Sequence, residues 1–75
     1  MGEFREKGYD AGMQVANDCY KEIRRCKSKA DLARLCGRKI EILLNHPEYW
    51  IAKYPAWREG FFDSFMNRGE DFLGG

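Results

Sequence analysis

The residues of this 75-residue chain that could carry out metal chemistry are three cysteines and one histidine, Cys19, Cys26, Cys36 and His46. Their successive spacings are seven, ten and ten residues. Zinc sites usually bring two ligands together with roughly two to four residues between them. Cys19 and Cys26 share a helical face, but they lie two turns, about 10 Å, apart. The spacing therefore predicts buried, reduced thiols that pack as small apolar side chains, with no metal or other cofactor.

Acid–base and phosphate chemistry also lack the residues they need. The sequence has no Gly-rich phosphate loop, and His46 directly precedes Pro47 at an expected helix end, where it can interact with terminal carbonyl groups. Glu59 and Asp63 are four residues apart, but on a helix they form part of its solvated side. So short a helical domain leaves little room for a closed active site. We therefore expect a protein that is not an enzyme.

Aromatic side chains are concentrated in the C-terminal part of the chain. Eight of the eleven lie between Tyr49 and Phe72. Trp, Tyr and Arg dominate the binding energy of protein interfaces, and this density exceeds what a small core usually buries. We predict that a protein partner is bound by Tyr49, Trp50, Tyr54 and Trp57. The alternative is that these rings close the core.

Charge is concentrated in one segment, although the whole chain carries a formal net charge of only +1. Residues 21–39 hold eight basic and two acidic groups, which gives +6, while residues 1–20 carry −2 and residues 40–75 carry −3. Cations at the end of a helix can simply complement its dipole. They can also bind a phosphate backbone or an acidic protein surface. The candidate anion-binding residues are Arg24, Arg25, Lys27, Lys29, Arg34 and Arg38.

The apolar spacing is helical throughout and predicts an all-α fold, a small bundle of three principal helices and a short connecting one. The principal helices are expected at about residues 3–26, 29–45 and 55–68, with Ser28 capping the second and Pro47 opening the short helix. The row Gly8, Gly12, Ala16 is expected to let another helix approach closely. Gly69 is expected to end the last helix, so that residues 1–69 form one domain and residues 70–75 a flexible tail.

Two short segments resemble a known family. The sequences GYDAG (residues 8–12) and WREGF (residues 57–61) are similar to the two helical signatures of ribosome modulation factor and its small phage-borne relatives. The resemblance covers about ten of the 75 positions. It implies a small helical protein that binds the ribosome through basic and aromatic groups. This chain differs from the family in having a whole helix between the signatures and in being nearly neutral, and the same glycines also permit tight helix packing.

These observations predict a small cytoplasmic binding protein, an adaptor or inhibitor of bacterial or phage style, that engages a protein partner through aromatic and basic surface groups. The alternative is a factor that binds RNA or the ribosome, with Arg and Lys on phosphates and aromatic rings on unpaired bases. Self-association is a further expectation for so short a chain. The early charged residues and the lack of an apolar run of ~20 residues predict neither a signal peptide nor a membrane span.

Overall fold

The computed structural model describes residues 2–74, and all regular structure within that range is helical. The α helices are α1 (Glu3–Asp18), α2 (Tyr20–Arg24), α3 (Lys29–Leu44) and α4 (Pro55–Gly74), and a 3₁₀ helix, Pro47–Lys53, joins α3 to α4. The prediction of an all-α protein is confirmed. In the part of the chain described, no helix is both long and apolar enough to cross a membrane.

α1 and α4 form the most closely packed pair of helices. Gly8 and Gly12 of α1 are buried, and a Cβ atom added to either would overlap the backbone of α4, at Trp57 and Phe61 respectively. Gly60 of α4 is restricted in the same way, because its Cβ would clash with the backbone of α1. The predicted close approach at the glycine row is therefore confirmed. Backbone packing compensates for the roughly 1 kcal/mol by which each glycine disfavours a helix relative to alanine.

The hydrophobic core lies where α2, α3 and the 3₁₀ helix close over the α1–α4 pair. Fully buried side chains from four elements meet there: Ile23 of α2, Leu32 and Cys36 of α3, Ala52 of the 3₁₀ helix, and Phe61 and Phe65 of α4. The rings of Phe61 and Phe65 are stacked, with centroids 6.0 Å apart. Burial of a side chain of this size stabilises a fold by about 1.5–3 kcal/mol. The core therefore holds α3 in place although α3 makes fewer contacts than α1 and α4 make with each other.

Ser28 and Asp31 fix the start of α3. The Ser28 hydroxyl oxygen accepts a hydrogen bond of 3.2 Å from the Asp31 backbone N–H, and the Asp31 carboxylate accepts one of 3.0 Å from the Lys27 backbone N–H. Two backbone donors, one in the first turn of α3 and one just before its N-cap, are thus satisfied by side chains. The predicted cap is confirmed.

The first helix is interrupted, which the sequence did not predict. Instead of one helix over residues 3–26, α1 ends at Asp18 and α2 begins at Tyr20, because Cys19 leaves helical geometry with φ −104° and ψ 31°. The Cys19 backbone N–H still donates to the Val15 carbonyl oxygen, and the Ile23 backbone N–H still donates to the Cys19 carbonyl oxygen. The helical path is therefore distorted at Cys19 rather than broken. Cys19 and Ile23 are both buried at this point. Packing of the chain onto the core therefore overrides a regular helix.

The predicted end of the last helix at Gly69 is wrong. α4 continues to Gly74, so residues 70–74, expected as a flexible tail, are helical, and Gly75 lies outside the described residues. Gly69 is buried and makes room for Leu32 of α3, whose Cδ1 would lie 2.7 Å from a Cβ at position 69. The helix continues because Phe72 and Leu73 pack against the core. Gly69 thus serves helix packing and not helix termination.

Candidate functional site

Four rings on the 3₁₀ helix and its neighbours form what we call the aromatic surface: Phe4, Tyr49, Trp50 and Tyr54. Trp50 is 56% exposed, and Tyr49 and Tyr54 are each 43% exposed. Tyr54 stacks on the half-buried Phe4 with ring centroids 4.7 Å apart, and Trp50 meets Tyr54 edge to face at 6.0 Å. Phe4, Tyr54 and Trp50 thus pack against one another in arrangements that aromatic pairs prefer, whereas Tyr49 meets His46 edge to face at 6.1 Å. Tyr49, Trp50 and Tyr54 present large apolar area to solvent.

The 3₁₀ helix that carries this surface is tied to α4 by Arg58. The Arg58 Nη1 atom donates hydrogen bonds to the backbone carbonyl oxygens of Ala52, at 2.9 Å, and Lys53, at 2.8 Å. Ala52 itself is fully buried in the core, and Pro47 opens the helix in the first-turn position that proline favours. The C-terminal half of the 3₁₀ helix, next to Trp50 and Tyr54, is therefore held against α4, whereas the backbone leaves helical geometry at Tyr49, with φ −105° and ψ 41°.

Trp57 does not belong to the aromatic surface, which corrects its assignment as a partner-binding residue. Its side chain is only 3% exposed and stacks on Phe61 with ring centroids 5.3 Å apart. Trp57 and Phe61 are four residues apart in α4, so they lie one turn apart on the helix face that meets α1. For this ring, the alternative that the aromatic residues close the core is the correct one.

The six candidate anion-binding residues do not converge on one point. Arg24 turns towards the end of α4, where its Nη1 donates to the Phe72 carbonyl oxygen at 3.0 Å and its guanidinium lies 6.0 Å from the Tyr20 ring. Lys29 also turns to α4 and forms an ion pair of 3.3 Å with Glu70. Arg24 thus joins the end of α2 to α4, and Lys29 joins the start of α3 to α4. Their observed roles are structural.

Three of the other candidates, Arg25, Arg34 and Arg38, share a groove of about 560 Å³ between α2 and α3. Three carboxylates line the same groove: Glu22, Asp31 and Glu41. Arg34 forms an ion pair with Asp31, whereas Arg25 and Arg38 form no ion pair with any residue among 2–74. Lys27 is exposed and does not line the groove, but its backbone N–H donates to the carboxylate of Asp31, which does. Counting charge along residues 21–39 includes Glu22 and Asp31 but does not show that they, together with Glu41, line the same groove as the arginines.

Two carboxylates of this groove, Glu22 and Asp31, are held in their charged form by their neighbours, which lower their pKa. The hydrogen bond of 2.8 Å from Lys39 is the main cause that lowers the pKa of the Glu22 carboxyl group, and Arg38 and Arg25 contribute to the lowering. The pKa of Asp31 is lowered first by the hydrogen bond from the Lys27 backbone and next by that from Arg34. Positive and negative groups in the groove are thus present in equal number. Such a groove favours ligands that carry both signs of charge over a simple anion.

The aromatic surface and the basic residues 24–29 lie at opposite ends of α3, whereas Arg34 and Arg38 lie within that helix. Residues 24–29 precede or open the helix, and the 3₁₀ helix follows its last residue. The 16 residues of α3 span about 24 Å at 1.5 Å per residue. This is a large part of the 32 Å that the molecule measures along its longest axis. A single small ligand therefore cannot contact both the aromatic surface and residues 24–29.

The thiols are placed as apolar side chains. Cys19 and Cys36 are buried and Cys26 is half-buried, and none of the three forms a disulfide. Burial raises the pKa of the Cys36 thiol to about 12 and raises the pKa of Cys19 and Cys26 as well. His46 is exposed near Glu48 and Tyr49, with its Nδ1 atom 3.4 Å from the Glu48 carboxylate. Within residues 2–74, no three His, Cys, Asp or Glu side chains are grouped so that they could hold a metal ion.

Phe4 is the part of the aromatic surface that sequence reasoning missed. It lies 50 residues from Tyr54 in the chain, so only the packing of α1 on α4 brings the two rings together.

The two signatures that carried the family resemblance also meet at this crossing, where Gly8 faces Trp57 and Gly12 faces Phe61. Helix packing alone accounts for their glycines. Comparisons with models of known protein families, with characterised proteins and with solved structures gave no match.

Proposed function

We propose that this chain is a small, non-enzymatic binding protein, an adaptor or inhibitor built as a compact helical bundle, that engages a protein partner through its aromatic surface. The observation that carries the proposal is the exposure of Tyr49, Trp50 and Tyr54 on and directly after the 3₁₀ helix. Exposed Trp and Tyr side chains are the commonest hot spots of protein interfaces, because they bury much area and lose little conformational entropy. The unbridged thiols support a cytoplasmic location.

A protein partner is favoured over a nucleic acid because of what surrounds the rings. Bases that stack on aromatic side chains need cations nearby to hold their phosphates. The charged residues that flank Trp50 on the 3₁₀ helix are one acid, Glu48, and one base, Lys53. Arg24 and Arg25 lie at the other end of α3, about 24 Å away. Nearer the rings, Arg58 is bonded to carbonyl oxygens of the 3₁₀ helix, and Arg5, next to Phe4 in the chain, pairs with Glu59 and Asp63, so these cations are less available to phosphates.

Affinity capture from a native lysate, with and without nuclease, tests this proposal. We expect the unmodified chain to retain a protein after nuclease treatment, and Trp50→Ala to weaken its binding by about 2 kcal/mol or more, near thirtyfold. Phe62→Ala is the matched control, since Phe62 is 42% exposed on α4 and forms no ring pair with the aromatic surface. Equal capture by Trp50→Ala and Phe62→Ala would contradict the proposal.

Binding to RNA or the ribosome is the second candidate function, and the exposed Arg25 and Arg38 favour it. Neither forms an ion pair within residues 2–74, and Lys27 lies two residues from Arg25 in the chain. Three phosphate contacts by these residues would weaken binding by about 20- to 40-fold between 50 and 200 mM salt, because each contact releases counterions. Titration of the chain with labelled RNA at both salt concentrations measures this dependence. Binding that is lost in Arg25→Glu but kept in Trp50→Ala would favour this second function.

A further inference from the structure

The outward face of α3 carries a second pattern, distinct from the one that faces the core. Five exposed residues recur at steps of four, three, four and three along the helix: Ala30, Arg34, Gly37, Glu41 and Leu44. The core-facing residues of the same helix, Leu32, Leu35 and Cys36, are buried. Steps of three and four keep residues on one side of a helix. The outward stripe is small at Ala30 and Gly37, charged at Arg34 and Glu41, and apolar at Leu44.

Gly37 has no reason within the chain to be glycine. A Cβ added to it would meet nothing within 4 Å, whereas a Cβ on Gly12 or Gly60 would overlap a neighbouring helix. Its φ angle is not positive, so its backbone conformation is open to any residue. Glycine nevertheless disfavours a helix interior relative to alanine. The distance between two packed helices depends on the side chains at their contact, so a glycine here leaves room for a helix of another molecule to approach closely.

The charged residues of the stripe are available for such a contact. The Arg34 side chain is 70% exposed and forms an ion pair only with Asp31, one turn away on the same helix. Glu41 is exposed, and within residues 2–74 its carboxylate takes part in no ion pair or side-chain hydrogen bond. Arg34 and Glu41 are seven residues apart, about 10 Å along the helix, which is too far for them to pair with each other.

The stripe is complementary to itself when two copies run antiparallel. With Gly37 opposite Gly37 of the second copy, Ala30 lies opposite Leu44 of that copy, so a small side chain receives a large one. Arg34 then lies within one residue of Glu41 of the second copy, and the twofold axis repeats the pair. A parallel arrangement would place Arg34 beside Arg34 and Glu41 beside Glu41, which is unfavourable. The pairing of Arg34 with Glu41 therefore favours the antiparallel direction over the parallel one.

We infer that the outward face of α3 binds the same face of a second copy of this chain, antiparallel and with Gly37 on the twofold axis. The proposed contact does not depend on the proposed function, because the aromatic surface lies beyond the end of α3. In the antiparallel pair the two aromatic surfaces point away from each other. The dimer thus presents two binding surfaces to its partners.

One helix face per copy is smaller than the roughly 800 Å² per partner of a standard stable interface. The dimer is therefore weak, and sedimentation equilibrium must extend to about 1 mM protein to detect it. We expect Arg34→Glu and Glu41→Arg each to weaken dimerisation by about tenfold, since each replaces two attractive pairs with two repulsive ones. Lys21→Glu, a charge reversal at an exposed site on α2, is the control and should dimerise like the unmodified chain.

An equimolar mixture of the two variants is the decisive measurement. One variant carries two acids on the stripe and the other carries two bases, so the mixture should form a heterodimer although neither variant dimerises well alone. Circular dichroism of each variant checks that it is folded. A chain that stays monomeric to 1 mM, an Arg34→Glu variant that dimerises as well as the unmodified chain, or a mixture of folded variants that does not associate would each overturn the proposal.

Discussion

Gly12 of α1 lies directly against the backbone of Phe61 in α4, so that a Cβ at position 12 would stand only 2.9 Å from the Phe61 Cα atom. Helix axes usually keep 8–10 Å apart because side chains separate them. Here the two backbones touch. The close crossing also places Phe4 of α1 next to Tyr54, which precedes α4. The geometry of the aromatic surface therefore depends on a glycine remote from it in sequence.

Alanine substitutions at Gly12 and Gly37 should have opposite effects on stability. Gly12→Ala inserts a methyl group into backbone that cannot yield, and we expect the free energy of unfolding to fall by about 1–3 kcal/mol or more. Gly37→Ala adds a methyl group where nothing lies within 4 Å, so it should raise the free energy of unfolding by up to about 1 kcal/mol. Urea unfolding followed by circular dichroism measures both changes.

The comparison must be made at low micromolar concentration, where the chain is monomeric and only folding is measured. Since both substitutions change the same residue type within a helix, intrinsic propensity favours both equally. A stabilising Gly12→Ala would show that α1 and α4 do not pack as described. Destabilisation by Gly37→Ala in the monomer would mean that this position has a neighbour within the chain.

Local patterns predicted the helices well. The helical spacing of the apolar residues predicted the all-α class. The capping residue Ser28 and the proline Pro47 predicted both ends of α3 to within one residue, because each acts on its immediate neighbours. The predictions failed where a distant residue decides the outcome. The helix interruption at Cys19 and the continuation of α4 through Gly69 depend on contacts with the core and with Leu32, which no local pattern contains.

The candidate site was predicted in part for the same reason. Tyr49, Trp50 and Tyr54 are exposed as expected, but Trp57 and Trp50 are chemically alike, and only their positions relative to α1 separate a core ring from a surface ring. Among the basic residues, Arg24 and Lys29 are engaged by groups more than 40 residues away. Charge counted along the sequence could not reveal that pairing.

The two tryptophans should respond differently to truncation. Trp57→Ala removes a ring that is 3% exposed and stacked on Phe61, so we expect a loss of about 3–5 kcal/mol in the free energy of unfolding. Trp50→Ala removes a ring that is 56% exposed, and a change of about 1 kcal/mol or less is expected. Chemical denaturation of both variants gives the comparison. Similar losses for the two would place Trp50 in the core and would remove the basis for the aromatic surface.

Removal of the last turn of α4 should destabilise the protein. A chain that ends at Gly69 loses Phe72, whose ring contacts Tyr20 at 4.7 Å and whose carbonyl oxygen accepts the hydrogen bond from Arg24. We expect a loss of about 2 kcal/mol, the order of one buried aromatic side chain. A chain that ends at Leu73 is the control and should lie within about 0.5 kcal/mol of the full chain. Thermal unfolding that is unchanged by the longer truncation would restore the interpretation of these residues as a flexible tail.

The buried thiol of Cys36 should make stability depend on pH above neutrality. Burial raises the pKa of Cys36 from 9.0 to about 12, so the folded state favours the neutral thiol while the unfolded state can ionise. The resulting stability is fully present below pH 9 and is lost as the pH rises from 9 towards 12. The rise in pKa corresponds to at most about 4 kcal/mol.

Lysine and tyrosine side chains titrate over the same range, so the effect of Cys36 is measured as a difference. The free energy of unfolding from urea titrations between pH 8 and 11 should fall more steeply for the unmodified chain than for Cys36→Ala, whose lower starting stability does not affect the slope. Cys26→Ala is the control, because the Cys26 thiol is only half-buried and should change the slope less. Parallel slopes for the unmodified chain and Cys36→Ala would mean that the thiol is hydrated, and that α3 does not close over the core at this position.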